Sequence, residues 1–240
     1  MNENLLSLID NLGAIDKVES DYYFNGIKVP RVTKIISRCI HNEGLMYWAN
    51  NLGFKHQSYR KTLDAAANIG TICHNNIDAY LKDNEHIPKG IDVFEEARNA
   101  YNSFKKWYSD ISLYADVEVI YQEKPLICKY FGGTLDGFYR INGKNYIIDY
   151  KTSNHVTYNY CLQIAAYIYM LRETLGVNTD GAIILQLSKT STGYNEFSLD
   201  FSNSIDKNYI EQCERAFLAM VYWYYNLYLV EEGFKSLGWD

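Results

Sequence analysis

Proline is scarce in this chain: Pro30, Pro88 and Pro125 are the three among 240 residues. Long proline-rich linkers are excluded, and no low-complexity tract separates one part from another. Cysteine is sparse as well. Cys39, Cys73, Cys128, Cys161 and Cys213 are scattered and odd in number, with no C-x-x-C pair. That usage gives no disulfide framework, zinc knuckle or iron–sulfur framework, and reads as reduced thiols in a cytoplasmic setting. Long apolar runs are missing. The most apolar late stretch, 216–230, holds Asn226 and four tyrosines, too short and polar to span a bilayer. The opening Met1-Asn2-Glu3-Asn4 lacks the basic and apolar regions of a signal peptide. Positive charge is also in deficit: 23 basic against 29 acidic residues give −6, which rules out a uniformly basic nucleic-acid coat.

What is present suits a folded chain. Hydrophobic residues make up 48% and aromatic residues 15%, with 23 tyrosines. Such content is too high for disorder, and the length suits one large domain or two small ones. The tyrosines read as core and groove lining.

Charge is unevenly spread. Between Lys28 and Lys61 lie seven basic residues (Lys28, Arg31, Lys34, Arg38, Lys55, Arg60, Lys61) and one acid, Glu43, a local +6. The rest of the chain is therefore 16 − 28 = −12. The same stretch carries Tyr47, Trp48, Phe54 and Tyr59. Cations among rings suit a groove that tracks a nucleic-acid strand, with phosphates on the cations and bases on the rings. Taken alone, the stretch is read more simply as a solvated helical face backed by core aromatics.

Periodicity and turn residues predict the elements. A hairpin turns at Asn25-Gly26 within 22–29. Helices are expected at 32–40, 45–52, 62–81 and 93–108. The period then changes, and strands are expected at 113–121, 126–131, 134–141 and 144–151. A helix over 155–175, strands at 182–187 and 194–199, and a closing helix over 205–231 complete the chain. The order predicts one α/β domain, 1–240, with a central mixed sheet flanked by helices. Residues 1–112 form a mainly helical front, 113–200 the sheet and its crossover helix, and 201–240 the closing helix.

The chemistry concentrates in Gly132-Gly133-Thr134-Leu135-Asp136-Gly137, Asn142-Gly143 and Ile147-Ile148-Asp149-Tyr150-Lys151. Asn-Gly between two strand-like runs is a strong hairpin signal. A two-residue turn makes opposed residue numbers sum to 285, which sets Asp136 against Asp149. Opposed side chains have Cβ atoms about 4.5–5.5 Å apart, so the two carboxylates repel unless a proton or cation lies between them. Lys151 projects on the same face as Asp149. A surface cluster on a polar hairpin is the plainer alternative, but Tyr146-Ile147-Ile148 ahead of Asp149 suggests a buried strand, where charges must be paired or metal-bound. Gln163 and Tyr167 share a helix face four residues apart. His74 follows Gly70 in a helix, with Asp78 one turn later.

Taken together, Gly70-x-x-x-His74, Asp136, Asp149-Tyr150-Lys151 and Gln163-x-x-x-Tyr167 resemble the PD-(D/E)XK nuclease superfamily, in its RecB-like exonuclease branch. That branch includes mitochondrial genome maintenance exonucleases and phage relatives. The front, Val29-Pro30-Arg31-Val32-Thr33-Lys34-Ile35-Ile36-Ser37 followed by Trp48, is similar to the branch's N-terminal signature, although Arg31 stands where serine is common. Asp149 stands where much of the superfamily has glutamate. The resemblance implies a restriction-endonuclease-like core. It implies Mg²⁺ or Mn²⁺ held by His74, Asp136, Asp149 and the Tyr150 carbonyl, with Glu118 either a supporting or second-metal ligand or a plain sheet-edge acid. Lys151 would act on the reacting phosphate, and Gln163 and Tyr167 would position it or the DNA backbone. Arg31, Lys34, Arg38, Trp48, Lys55, Arg60 and Lys61 would contact DNA. No iron–sulfur centre is expected.

The expected function is a metal-dependent DNA exonuclease of recombination, repair or replication, preferring single strands or free ends. Its partners would be DNA and a replication or recombination protein, without a membrane. A structure-specific or nicking endonuclease, and a non-catalytic DNA-binding module, are the alternatives.

Overall fold

The computed structural model describes residues 16–18, 21–40, 43–83, 87–91 and 94–238. The first residues, read above for a leader, and Val93, read as a helix start, lie outside these.

Two sheets organise the described residues. The small one has three antiparallel strands, β1 (Asp16–Val18), β2 (Asp21–Phe24) and β3 (Ile27–Val29). β2 and β3 turn at Asn25 and Gly26, both with positive φ (51° and 76°), the conformation that an Asn-Gly turn supplies at low cost. Four helices follow: α1 (Val32–Cys39), α2 (Glu43–Phe54), α3 (Tyr59–Lys82) and α4 (Glu95–Ser112). The main sheet comprises β4 (Val117–Ile127), β5 (Gly132–Ile141), β6 (Lys144–Lys151), β7 (Gly181–Leu187) and β8 (Tyr194–Asp200), in that spatial order. Helix α5 (Tyr158–Leu175) crosses from β6 to β7, and α6 (Ser204–Ser236) closes the chain. β6 and β7 run parallel and the other neighbours antiparallel. The fold is α/β, with a mixed five-stranded sheet between helices, as the sequence order implied.

Each face of the sheet has its own core. On one, Ile147, Ala182 and Ile184 pack with Ile35 of α1, Ala165, Ala166 and Met170 of α5, and Phe217 of α6. On the other, Tyr139, Ile148, Tyr150, Ile183 and Leu185 pack with Cys73 and Ile77 of α3 and with Phe104 and Trp107 of α4. β6 thus buries both faces, which is why its sequence reads as a continuous apolar run broken by one acid. Helix α5 stops at Gly176, whose φ of 63° lets the amides of Gly176 and Val177 bond back to Arg172 and Leu171 in a left-handed cap.

Two strands differ from expectation: β1 (Asp16–Val18) is not among the expected elements, and β4 is continuous. The sequence predicts two strands over 113–121 and 126–131. The chain instead runs as the single strand β4, with Pro125 opposite Thr134. β4 is an edge strand, where proline's missing donor is tolerated.

Candidate active site

The Asn142-Gly143 turn has φ values of 49° and 79° and sets the register: Ile141 faces Lys144, Phe138 faces Ile147 and Gly137 faces Ile148. All sum to 285. Backbone pairing ends there, one step short of Asp136 and Asp149. The Asp136 side chain takes over the next position, its Oδ2 accepting the Tyr150 N–H at 2.9 Å. Asp136 and Asp149 are both buried, 7% and 1% exposed, so their charges need partners nearby.

Asp136 finds its partners in β4 and α3. Its Oδ1 lies 3.7 Å from His74 Nδ1, and that nitrogen lies 3.1 Å from Glu123 Oε1. The neighbouring pairs Gln122–Gly137 and Lys124–Leu135 set Glu123 opposite Asp136. Glu123 takes the left-handed backbone region, φ 46°, which a non-glycine residue adopts only when its surroundings require it. Among the described residues, His74, Glu123 and Asp136 form a group whose ligand atoms all lie within 4.8 Å of one another. Two carboxylates and one imidazole suit a small divalent ion.

Asp149 is arranged differently. Lys151 Nζ forms an ion pair with its Oδ2 at 2.6 Å, neither oxygen has a hydrogen bond of good angle, and Oδ1 has no ion-pair partner either. A buried carboxylate oxygen left open on the sheet's α5 face is an available acceptor for a substrate or ion. Lys151 Nζ also sits 4.9 Å from the centre of the Tyr160 ring. Tyr167 lies over β5, where a Cβ on Gly133 would stand 2.6 Å from its Cε1; glycine is required there. Gln163 Nε2 donates to the Tyr167 hydroxyl at 3.1 Å. Burial first, then the carboxylates of Asp136 and Asp149, hold the Tyr167 phenol well above its usual range, so it stays a donor. Tyr150 turns its ring to the opposite face. It meets the His74 ring edge-on at 5.7 Å and shares a 2.6 Å hydrogen bond with Tyr139.

The structure therefore brings His74, Asp136, Asp149, Lys151, Gln163 and Tyr167 to one region, and adds Glu123. It does not bring Glu118 there. Glu118 pairs with Arg140 at 2.8 Å on the surface, five residues along β4 from Glu123, about 16 Å at the usual strand rise. Glu123 escaped the sequence reading because it fell in the supposed gap between two strands. An acid on an edge strand directly facing the hairpin acid was the signal that could have found it.

The basic front is only partly assembled. Arg31 and Lys34 line a surface groove of about 560 Å³ together with Lys28 and Ser37. Arg31 bridges to Gly132, and the Gly132 amide bonds Pro30, which ties this groove to the strand bearing Asp136. Lys28 is paired with Asp21, and Arg38 with Glu231 of α6. Lys55, Arg60 and Lys61 are exposed around the α2–α3 junction. Trp48 is half-buried, edge-on to Tyr59 at 5.8 Å, which leaves its face less open for stacking than expected.

Proton linkage gives a first test. Burial opposes the His74 imidazolium, but Asp136 and the bond to Glu123 outweigh it and raise its pKa to about 9. Burial, reinforced by Asp136 against the opposing pull of Lys151, pushes Asp149 up to about 6. A raised histidine pKa contributes stability that is complete below its ordinary 6.5 and is lost as pH rises through about 9. The metal-free protein should therefore lose melting temperature across that window, and His74→Gln should flatten the slope. Thermal melts in EDTA measure it; equal slopes for the two proteins would remove His74 from the carboxylate cluster.

No family model matches the chain, and none of the curated proteins does. Among solved structures, one described as the crystal structure of SSO0001 is 11% identical, covering 91% of this chain and 84% of that one, with a TM-score of 0.35. A likeness that remote carries no argument here. No described helix is long and apolar enough to cross a membrane.

Proposed function

We propose that this protein is a divalent-metal-dependent deoxyribonuclease of the PD-(D/E)XK type, working from free ends of single-stranded DNA in recombination, repair or replication inside the cell. The observation that carries the reading is the convergence of His74, Glu123 and Asp136 beside the buried Asp149–Lys151 pair. Asp149, Lys151 and an Asp136 held by the Tyr150 amide are the parts that the sequence resemblance names, and their burial together supports the reading.

His74, Glu123 and Asp136 would hold Mg²⁺ or Mn²⁺, with Asp149 Oδ1 available beside them. When bound, the ion would lower the pKa of a water and neutralise phosphoryl oxygens. The protein's own groups supply the rest. Lys151 is kept charged against its burial by Asp149 and then Asp136, so an ammonium stands ready where negative charge develops on the phosphate. Because the Tyr167 oxygen already accepts from Gln163, its O–H is left to donate to a phosphate oxygen. Arg31 and Lys34 would meet phosphates on the strand's approach. Such contacts are blind to sequence and weaken with salt.

The test is cleavage of an end-labelled linear single strand beside a covalently closed circle of the same sequence, each with Mg²⁺ and with EDTA. The linear strand should shorten to small products only with metal, and the circle should resist. A circle cut as fast as the linear form would promote the endonuclease alternative. Metal-independent binding without cleavage would promote the binding module. Reversing charge at Arg31 and Lys34 together should weaken DNA affinity by about ten-fold at low salt while sparing metal-induced stabilisation. Arg38 is omitted because Glu231 already holds it.

A further inference from the structure

A second cleft opens next to the candidate active site. Its volume is about 540 Å³, and it is lined by Ser153 and Asn154 after β6, Gln186 at the end of β7, Lys189 and Thr190 in the β7–β8 loop, and Asn195 on β8. That volume falls in the range of about 300–1,000 Å³ typical of small-ligand sites. The cleft lies at the carboxyl ends of β6 and β7, the parallel pair of the main sheet. Ligands of α/β sheets bind outside the carboxyl ends of parallel strands.

Register joins the cleft to the chemistry. Lys151 pairs with Gln186, and Gln186 with Asn195, so the three side chains form one row across β6, β7 and β8 on one face. Ser153 stands two residues beyond Lys151, about 7 Å along an extended chain. Gln186 is used internally: it donates to the Ser153 carbonyl at 2.8 Å and accepts from Asn195 Nδ2 at 3.0 Å. It forms a fixed floor, and Asn195 Oδ1 and the exposed Asn154 remain for a ligand.

The loop over the cleft is anchored from behind. Ser103 of α4, fully buried, accepts the Gly193 N–H at 2.9 Å and lies 3.2 and 3.3 Å from the carbonyls of Ser188 and Ser191. Asn99 Nδ2 donates to the Lys189 carbonyl at 3.0 Å. The backbone around Lys189 is thus held toward α4, and less ordering remains to be done on binding.

Charge selects the ligand. The lining holds one cation, Lys189, and no acid, in a chain of net charge −6. The cleft between α5 and α6 contrasts with it, mixing Lys144, Arg172 and Lys207 with four carboxylates, those of Asp180, Asp200, Glu211 and Glu214. One cation among neutral amides and hydroxyls fits a single phosphate attached to a body rich in hydrogen-bonding edges.

We infer that this cleft holds one nucleotide of the DNA strand next to the bond being cut, with Lys189 on its phosphate and Asn154 and Asn195 on its base. The inference rests on the nuclease reading for the word substrate, but the site itself is tested separately. The full-length protein is titrated calorimetrically with thymidine monophosphate, with thymidine and with inorganic phosphate, in EDTA so that no metal bridges the phosphate to the acidic cluster. Thymidine monophosphate should bind more tightly than either fragment. Lys189→Ala and Asn195→Ala should each weaken it by about five-fold, and Lys235→Ala at the far end of α6 should not. In cleavage assays Lys189→Ala should raise KM and leave kcat nearly unchanged. Absence of binding up to about 10 mM, equal binding in both cleft variants, or phosphate binding as tightly as the nucleotide would each overturn the assignment. If the protein cuts no DNA yet binds the nucleotide through Lys189, the nuclease reading fails and the nucleotide site stands.

Discussion

Lys151→Ala should cut DNA cleavage by about two to three orders of magnitude, the range lost when one preorganised charge-stabilising donor is removed. Its ammonium is the cation 2.6 Å from Asp149 and faces the side of the sheet where Gln163 and Tyr167 lie. Folding is a fair concern, because removing one partner of a buried ion pair costs about 3–5 kcal/mol if the other stays charged. Asp149 has a way out: burial already pushes its pKa up to about 6, and without Lys151 it rises further and takes a proton. The variant should therefore fold, with a modest loss in melting temperature and with Mg²⁺ stabilisation largely retained through His74, Glu123 and Asp136. The same argument creates a rival explanation, in which the lysine serves only to keep Asp149 ionised. Raising the pH separates the two. If the lysine acts on the phosphate, single-turnover cleavage by Lys151→Ala stays low at high pH. Recovery at high pH would reassign Lys151 to holding Asp149 charged, and activity within a few-fold of wild type at neutral pH would remove it from the mechanism.

How much of this fold and site is legible in the sequence depends on how local each signal is. Asn25-Gly26 and Asn142-Gly143 state their conformation outright, because few residues accept positive φ at two successive positions. Once the second turn was fixed, the register from Ile141–Lys144 to Gly137–Ile148 followed by arithmetic. β6 was read with its boundaries at Lys144 and Lys151, since a strand buried on both faces leaves an unbroken apolar run. The sequence reading failed where tertiary context overrode a local cue. The gap left between 121 and 126 is paired in the structure, and the edge position of β4 tolerates Pro125 there. The irregularity between Val119 and Tyr121 and the positive φ of Glu123 depend on what β4 packs against, not on β4 alone. Likewise no local pattern shows that Arg38 is held by Glu231, 193 residues away, or that Ser103 anchors the β7–β8 loop. The basic stretch was visible as composition, but which of its cations remain open to solvent was not.

Glu123→Gln should remove most of the stabilisation that Mg²⁺ or Mn²⁺ confers, and Glu118→Gln should leave it intact. The two acids lie on the same strand and differ in what surrounds them. Glu118 is a surface residue paired with Arg140, an arrangement worth about 0–1 kcal/mol to the fold and offering no third donor. Glu123 faces Asp136 across the strands, touches His74, and holds a backbone conformation that must be maintained by its setting. In the metal-free protein the glutamine can still accept a hydrogen bond from His74, so the amide should fold. What it loses is the charge that draws a cation to the cluster. Loss of a residue that merely orients a metal ligand costs about 10–100-fold in affinity or activity, so removing a ligand itself should cost at least the upper figure in cleavage. Asp149→Asn should reduce the metal shift less than Glu123→Gln, because Asp149 is held by Lys151 and lies beside the trio rather than in it. The measurement is the melting temperature of each variant with Mg²⁺, with Mn²⁺ and with EDTA, read beside its cleavage rate. A full metal shift in Glu123→Gln together with a lost shift in Glu118→Gln would move the metal site to Glu118, one of the two roles the sequence left open for that acid. Equal shifts in all three variants and the wild type would place metal binding outside this cluster altogether.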